Sequence, residues 1–420
     1  MSAAASIPSA TPSAPASAEP SARANSKIPL LMKIYGVISL VSGATVLAGG
    51  ALIIWGLATG GIDAVNRSYH VTLTVTLTVI QLVLVFFHSV TDVTFGISLL
   101  RDRRRHAALY AYLLVLLNIV IGLITIMLLG FKGHVADPLI RIAILLVIAA
   151  TVDPSLNRER ELARQRHDKE LAQEAAAGTL GRAKDGRGFI ALNFFNLFWV
   201  FTVCCVIGLI IETVYHMVIV DPGHYQDRAG MLFGPFSPIY GFGATLMTIA
   251  LNRFYKANPA IIFLVSAVIG GAFEAATSWF METSFGAVAW NYSGFTILGL
   301  FPDPIAALTG GRTSTLFMCM WGALGFVWIR FCLPWLLRLI NHIPWRWRYA
   351  VTTVCALLML VDGVMTLQSL ECWYDRESGL QPNSPVEVFY AKHFDNDYMQ
   401  HRFQSMTITP EKTARVETTN

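Results

Sequence analysis

The chain has 420 residues, of which 54% are hydrophobic and only 14% charged. A soluble domain carries roughly a quarter charged residues, so these are too few to coat a surface facing water. The formal net charge of +4 is concentrated in a few loops and gives no face for nucleic acid; the partner implied is the lipid bilayer.

In chain order, residues 1–29 are rich in Ala, Ser and Pro and read as a disordered tail. They lack a basic start directly ahead of an apolar core, so no cleavable signal peptide is expected. Apolar runs of about 20 residues then recur, long enough to cross a hydrocarbon layer roughly 30 Å thick. Unpaired backbone groups are costly in lipid, so such runs must be helices. Four are predicted at 31–57, 74–100, 107–129 and 138–152, forming a membrane module over residues 30–152. The fourth is short and carries Arg141 near one end.

Residues 153–187 form a basic linker with eight Lys or Arg from Arg158 to Arg187. They predict a surface helix that ends at Gly178 and Gly181. Five more spans are predicted at 191–220, 236–252, 259–281, 315–339 and 350–370, a second membrane domain over residues 188–370. Residues 371–420 read as a polar C-terminal tail. The expected fold is all-α, a polytopic integral membrane protein of about nine transmembrane helices, four plus five, with no internal repeat.

Basic residues set the orientation. Arg101, Arg103, Arg104 and Arg105, the linker, Arg253 with Lys256, and Arg338 with Arg346 and Arg348 all fall on one side if nine spans start from a cytoplasmic N-terminus. The opposite loops hold Arg67, Lys132, Arg228 and Arg312, one apiece. The expectation is a multi-pass protein of the plasma (cytoplasmic) membrane with its C-terminal tail outside.

Six cysteines give no disulfide framework, and no His–Cys spacing suggests zinc. No G-x-x-x-x-G-K-[ST] is present, so any ATP dependence would come from a separate ATP-binding subunit. No cofactor is called for, and the sequence does not fix an oligomeric state.

Chemistry is concentrated in the second half. Glu212, Glu274 and Asp362 interrupt apolar runs, where a carboxylate costs at least a few kcal/mol unless it is neutral, paired or wetted. All three fall in the outward half of their helices. The run "MLFGPFSPIYGFGA" opens the sixth span with Gly234, Pro235, Pro238, Gly241 and Gly243. Such residues are tolerated at membrane depth where irregular backbone is buried in protein or lines a watery cavity. A broken or re-entrant segment over 231–243 is therefore expected. It would cap an outward polar pocket formed with Glu212, Glu274 and Arg312. The alternative is a plain helix starting at Pro235, with carboxylates that only lock helices together. Trp290 and Tyr292, in "AVAWNYSGF", also suit an interfacial aromatic belt.

The ordered set "IGLIIETVYH", "MLFGPFSPIYGFGA", "GGAFEAATSWFMETSFGAVAWNYS" and "GGRTSTLFMCMWGALG" resembles the CmpB-like membrane proteins, the ABC-transporter type IV family, over about residues 190–340. The resemblance marks Glu212, Gly234, Pro235, Pro238, Ile239, Tyr240, Gly241, Glu274, Trp279, Trp290, Tyr292, Ser293, Gly311, Arg312, Trp321 and Gly322 as signature positions. Ser237 and Asn291 depart from it, standing where the family has Cys and Asp. The resemblance implies a permease component of a transporter. A non-catalytic membrane scaffold or sensor is the first alternative. An outer-leaflet membrane enzyme is the second, disfavoured because no nucleophile–base pair is identifiable.

Overall fold

The computed structural model describes residues 28–56, 71–152, 188–343 and 345–415. Most of the N-terminal tail and the whole basic linker lie outside the described residues. The first module is α1 (Leu30–Gly56), α2 (Val71–Leu100), α3 (Arg104–Leu129) and α4 (Ala136–Val152). The second begins with α5 (Phe194–Tyr215), which a π turn, His216–Val220, prolongs. It continues with α6 (Pro238–Leu251), α7 (Pro259–Phe285) and a short α8 (Pro304–Thr309). Then come α9 (Thr315–Val327), a π turn at Trp328–Cys332, α10 (Leu333–Ile340) and α11 (Trp345–Glu377). Helices α12 (Pro385–His393) and α13 (Asn396–Arg402) close the chain.

All nine predicted spans are helical, but among the described residues seven helices are long and apolar enough to cross a membrane. Helix α4 has 17 residues and α6 has 14, about 25 and 21 Å at a rise of 1.5 Å per residue. The outer faces remain apolar: Leu358 is 65% exposed and Leu360 62%. Solvated surfaces rarely present such continuous apolar stretches, whereas acyl chains accept them.

Local sequence explains the helix ends. Asn193, Asn258 and Ser314 accept backbone N–H bonds at the starts of α5, α7 and α9, and Pro259 occupies the first turn of α7, where a missing amide costs nothing. Gly286 ends α7 in the left-handed region at φ 62°. The helices define two ends of the molecule. At the basic end lie Arg101 to Arg105, Arg253 and Arg338. The other, the cap end, holds the α3–α4 turn, the loops after α5 and α7, and the C-terminal residues.

Residues 371–415 are not an extended tail. Helix α11 runs past the predicted limit of Leu370 to Glu377, and the chain then folds back over the cap end. Strand β2 (Thr407–Ile408) pairs antiparallel with β1 (Ala287–Val288), Ala287 opposite Ile408. Beneath it, Phe131, Leu232, Phe285, Trp373, Phe394 and Phe403 form one buried cluster joining both modules to the cap. The polar residues that made this stretch look like a tail are largely paired. Glu371 receives Arg415 Nη1 at 2.8 Å and Nη2 at 2.5 Å, and the Phe131 amide at 2.9 Å.

Candidate functional site

The backbone from Met231 to Ser237 is not helical, as the Gly- and Pro-rich sequence predicts. It descends from the cap end along α5 until the Ser237 amide donates to the Cys205 carbonyl at 3.1 Å. Cys205 lies near the middle of α5, so α6 starts at mid-depth and runs only to the basic end. This is a broken helix, half span and half loop. Gly234 sits at φ +69°, a turn that residues with a Cβ seldom adopt. Close approach fixes α6 against α5: a Cβ on Gly208 would lie 2.2 Å from Tyr240 Cβ, and one on Gly241 2.4 Å from Cys205 Sγ.

The irregular segment meets the requirement that its polar groups be satisfied inside the protein. Leu232 N donates to Thr366 Oγ1 at 2.8 Å and Phe233 N to Asp362 Oδ1 at 3.1 Å, both on α11. From the cap, Arg402 donates to the Met231 carbonyl at 2.9 Å, the Gly234 carbonyl at 2.5 Å and Asp227 Oδ2 at 2.9 Å. Asp362 is thus a holder of the loop.

Beside this segment two carboxylates approach each other from α5 and α7. Glu274, 5% exposed, accepts from the Tyr292 hydroxyl at 3.1 Å, Thr313 Oγ1 at 2.8 Å and Trp321 Nε1 at 3.3 Å. Glu212 pairs with Arg228, whose Nε is 3.0 Å and Nη2 2.9 Å from Oε1. Between them stands Tyr240, its ring stacked on Trp321 at 6.2 Å and its hydroxyl within electrostatic reach of both carboxylates. Tyr292 stacks on Phe317 at 4.3 Å. Burial, then the adjacent Glu274, holds its phenol well above the usual range, so it stays a donor.

Arg312 does not join this cluster, contrary to the sequence expectation. It binds Glu282, which also receives Lys412 at 3.3 Å, and donates to the Thr309 carbonyl at 3.1 Å. Its own carbonyl accepts Trp290 Nε1 at 3.0 Å. Arg312 and Trp290 therefore brace the α7–α9 loop that carries Tyr292 and Thr313 down to Glu274. Asn291, at a signature departure, shapes that loop too, accepting the Ser293 amide at 2.9 Å. So does Asp303, 3% exposed, which caps α8 and clips Thr315 to it. Burial pushes the Asp303 carboxyl up, but these donors outweigh it and hold the group below its ordinary range.

Residues 199–367 match the family model described as "Putative ABC-transporter type IV". The matched segment begins inside α5 and ends inside α11. It takes in Glu212, the whole broken helix, Glu274, Arg312 and Asp362, and leaves out the first module and the cap. It also reaches further toward the C-terminus than the motifs alone suggest. No curated protein and no solved structure matches the chain.

Sequence reading missed the cation that answers Glu212. Arg228 is 16 residues away, and the available signal was that it is the only basic residue between α5 and α6 other than histidine. Arg402, which clamps the loop from 168 residues away at Gly234, carries no local signal.

Proposed function

We propose that the protein is the permease component of an ABC-type transporter, working with a separate ATP-binding subunit. It sits in the plasma membrane with the basic end in the cytoplasm and the cap outside. The observation that carries this reading is the broken helix: α6 begins at mid-depth, beside Glu212, Tyr240 and Glu274. Discontinuous helices with charged neighbours near the bilayer midplane are how many transporters bind a solute. On this reading Glu212, Tyr240, Glu274 and Tyr292 line the solute path. Gly234, Pro235, Pro238 and Gly241 shape its backbone wall, and Arg312 and Trp290 support its roof. The basic loops support the orientation.

One specific observation favours a scaffold instead. Every oxygen of Glu274 already has a donor, and Glu212 has its arginine, as expected of groups that only lock helices. Glu212→Gln and Glu274→Gln separate the two readings. For a permease, both variants reach the membrane at normal levels, and cells lose the solute accumulation that distinguishes the wild type from a strain lacking the protein. If both vanish from the membrane, the scaffold stands. Purification in mild detergent is expected to recover a nucleotide-binding subunit, and its repeated absence would count against the ABC assignment.

A further inference from the structure

The family match leaves the first module without a role, yet this module holds its own charged cluster at membrane depth. Asp92 on α2 is 2% exposed and accepts from Arg141 Nη1 on α4 at 3.0 Å. His88, one turn before Asp92, has Nδ1 3.5 Å from the same carboxylate. Its Nε2 faces Asn118 Nδ2 of α3 at 3.0 Å. A cavity of about 280 Å³ opens beside this pair, lined from all four helices by side chains including Ser42, His88, Asn118, Thr125, Asp137 and Arg141.

A pair serving only as glue would be packed closed. Here Arg141 gives one of its donors to Asp92 and remains 27% exposed, and among the described residues no other acceptor is seen for its remaining N–H groups, which can turn to the cavity. At the start of α4, His134 and Asp137 are exposed and also line it, which puts the mouth at the cap end. Asp137 and Arg141 are one helical turn apart, roughly 5–6 Å between Cβ atoms. The cavity thus presents a cation at depth and a carboxylate near the entrance. A bare anion would face Asp92 and Asp137, and a bare cation would face Arg141. A solute with both charges answers each. The volume lies just below the roughly 300–1,000 Å³ of pockets for drug-sized ligands, so the solute is small.

We infer that the α1–α4 module binds a small zwitterion, its anionic oxygens on the free edge of Arg141 and its ammonium toward Asp137. A free amino acid or betaine and a zwitterionic lipid headgroup share this chemistry. The test uses the full chain in nanodiscs. One arm titrates glycine betaine and a set of L-amino acids into phosphatidylglycerol discs and follows binding by calorimetry. The other compares melting in phosphatidylethanolamine and phosphatidylglycerol discs. Saturable binding in the first arm identifies a free solute, and stabilisation by phosphatidylethanolamine alone identifies a headgroup.

In either case Arg141→Lys and Asp137→Asn each weaken the effect at least tenfold. Arg141→Lys strips Asp92 of a well-shaped partner and could fail to fold; Asp137→Asn, at an exposed position, keeps the test decisive. No response to any zwitterion in either arm overturns the inference. So does an equal response to acetate or ethylammonium, or an unaltered response in Asp137→Asn.

Discussion

The salt bridge between Glu212 and Arg228 lies where neither water nor a packed core fully surrounds it, with side-chain exposures of 22% and 19%. A hydrogen bond to a charged group in such a place contributes about 1.5–3 kcal/mol. Arg228→Ala is therefore expected to lower detergent melting by about that much, and Glu212→Gln should recover part of the loss in the double variant; additive losses would show the pair uncoupled. Asp303 gives a pH prediction. Its folded pKa is depressed, so its stabilising contribution is present above the ordinary carboxylate range, about pH 4. The contribution is lost as pH falls through the folded value. Protection of residues 295–315 against hydrogen exchange, taken relative to the intrinsic amide rate at each pH, should fall in acid for the wild type, whereas Asp303→Asn should be weakly protected at every pH. At this scale Glu212 and Glu274 were legible because a charge inside an apolar run stands out. Asp92 is as buried as Glu274, but it lies among Thr91 and Thr94 in a span that reads as continuous, and only its geometry with Arg141 reveals it.

Among elements, the broken helix was legible from Gly234, Pro235 and Pro238, because these residues cannot prolong a helix through the cap-end half of the bilayer. Its depth was not legible, since depth is set by Gly208 and Gly241 meeting Tyr240 and Cys205 on the facing surfaces, and one helix's periodicity does not name its neighbour. Gly208→Ala places a methyl 2.2 Å from Tyr240 Cβ, an atom near the backbone that cannot swing away. Overpacking of this kind costs about 1–3 kcal/mol. The expected result is a lower melting temperature with Tyr240 displaced from Trp321, visible as altered tryptophan fluorescence; an unchanged melt would mean that α5 and α6 are not in this close contact. The end of α11 was misplaced for a related reason. Glu371 and Asp375 look like the edge of a span, yet Arg415 and Lys132 lie beside them, so the helix continues.

For the whole molecule, the cap ties the two modules together. Glu371 on α11 holds the Phe131 amide of the α3–α4 turn, Arg415 holds Glu371, and Thr74 of α2 donates to the Ala414 carbonyl at 2.9 Å. Arg415→Ala leaves Glu371, 1% exposed, without its main partner, and removing one member of a buried pair costs about 3–5 kcal/mol. The variant should melt in two steps, with the first module separating from the second; a single unshifted transition would show that the cap is not the tie. None of this was legible from sequence, because Thr74 and Ala414 are 340 residues apart and a polar ending without apolar periodicity gives no sign of what it covers. The same tie has a consequence for biosynthesis. Helices can enter the bilayer one after another as they leave the ribosome, but the dipping loop lacks its clamp from the cap until Arg402 emerges. A released chain ending just before Arg402 would leave every span inserted and the loop unclamped, a state that protease protection of the truncated protein would detect.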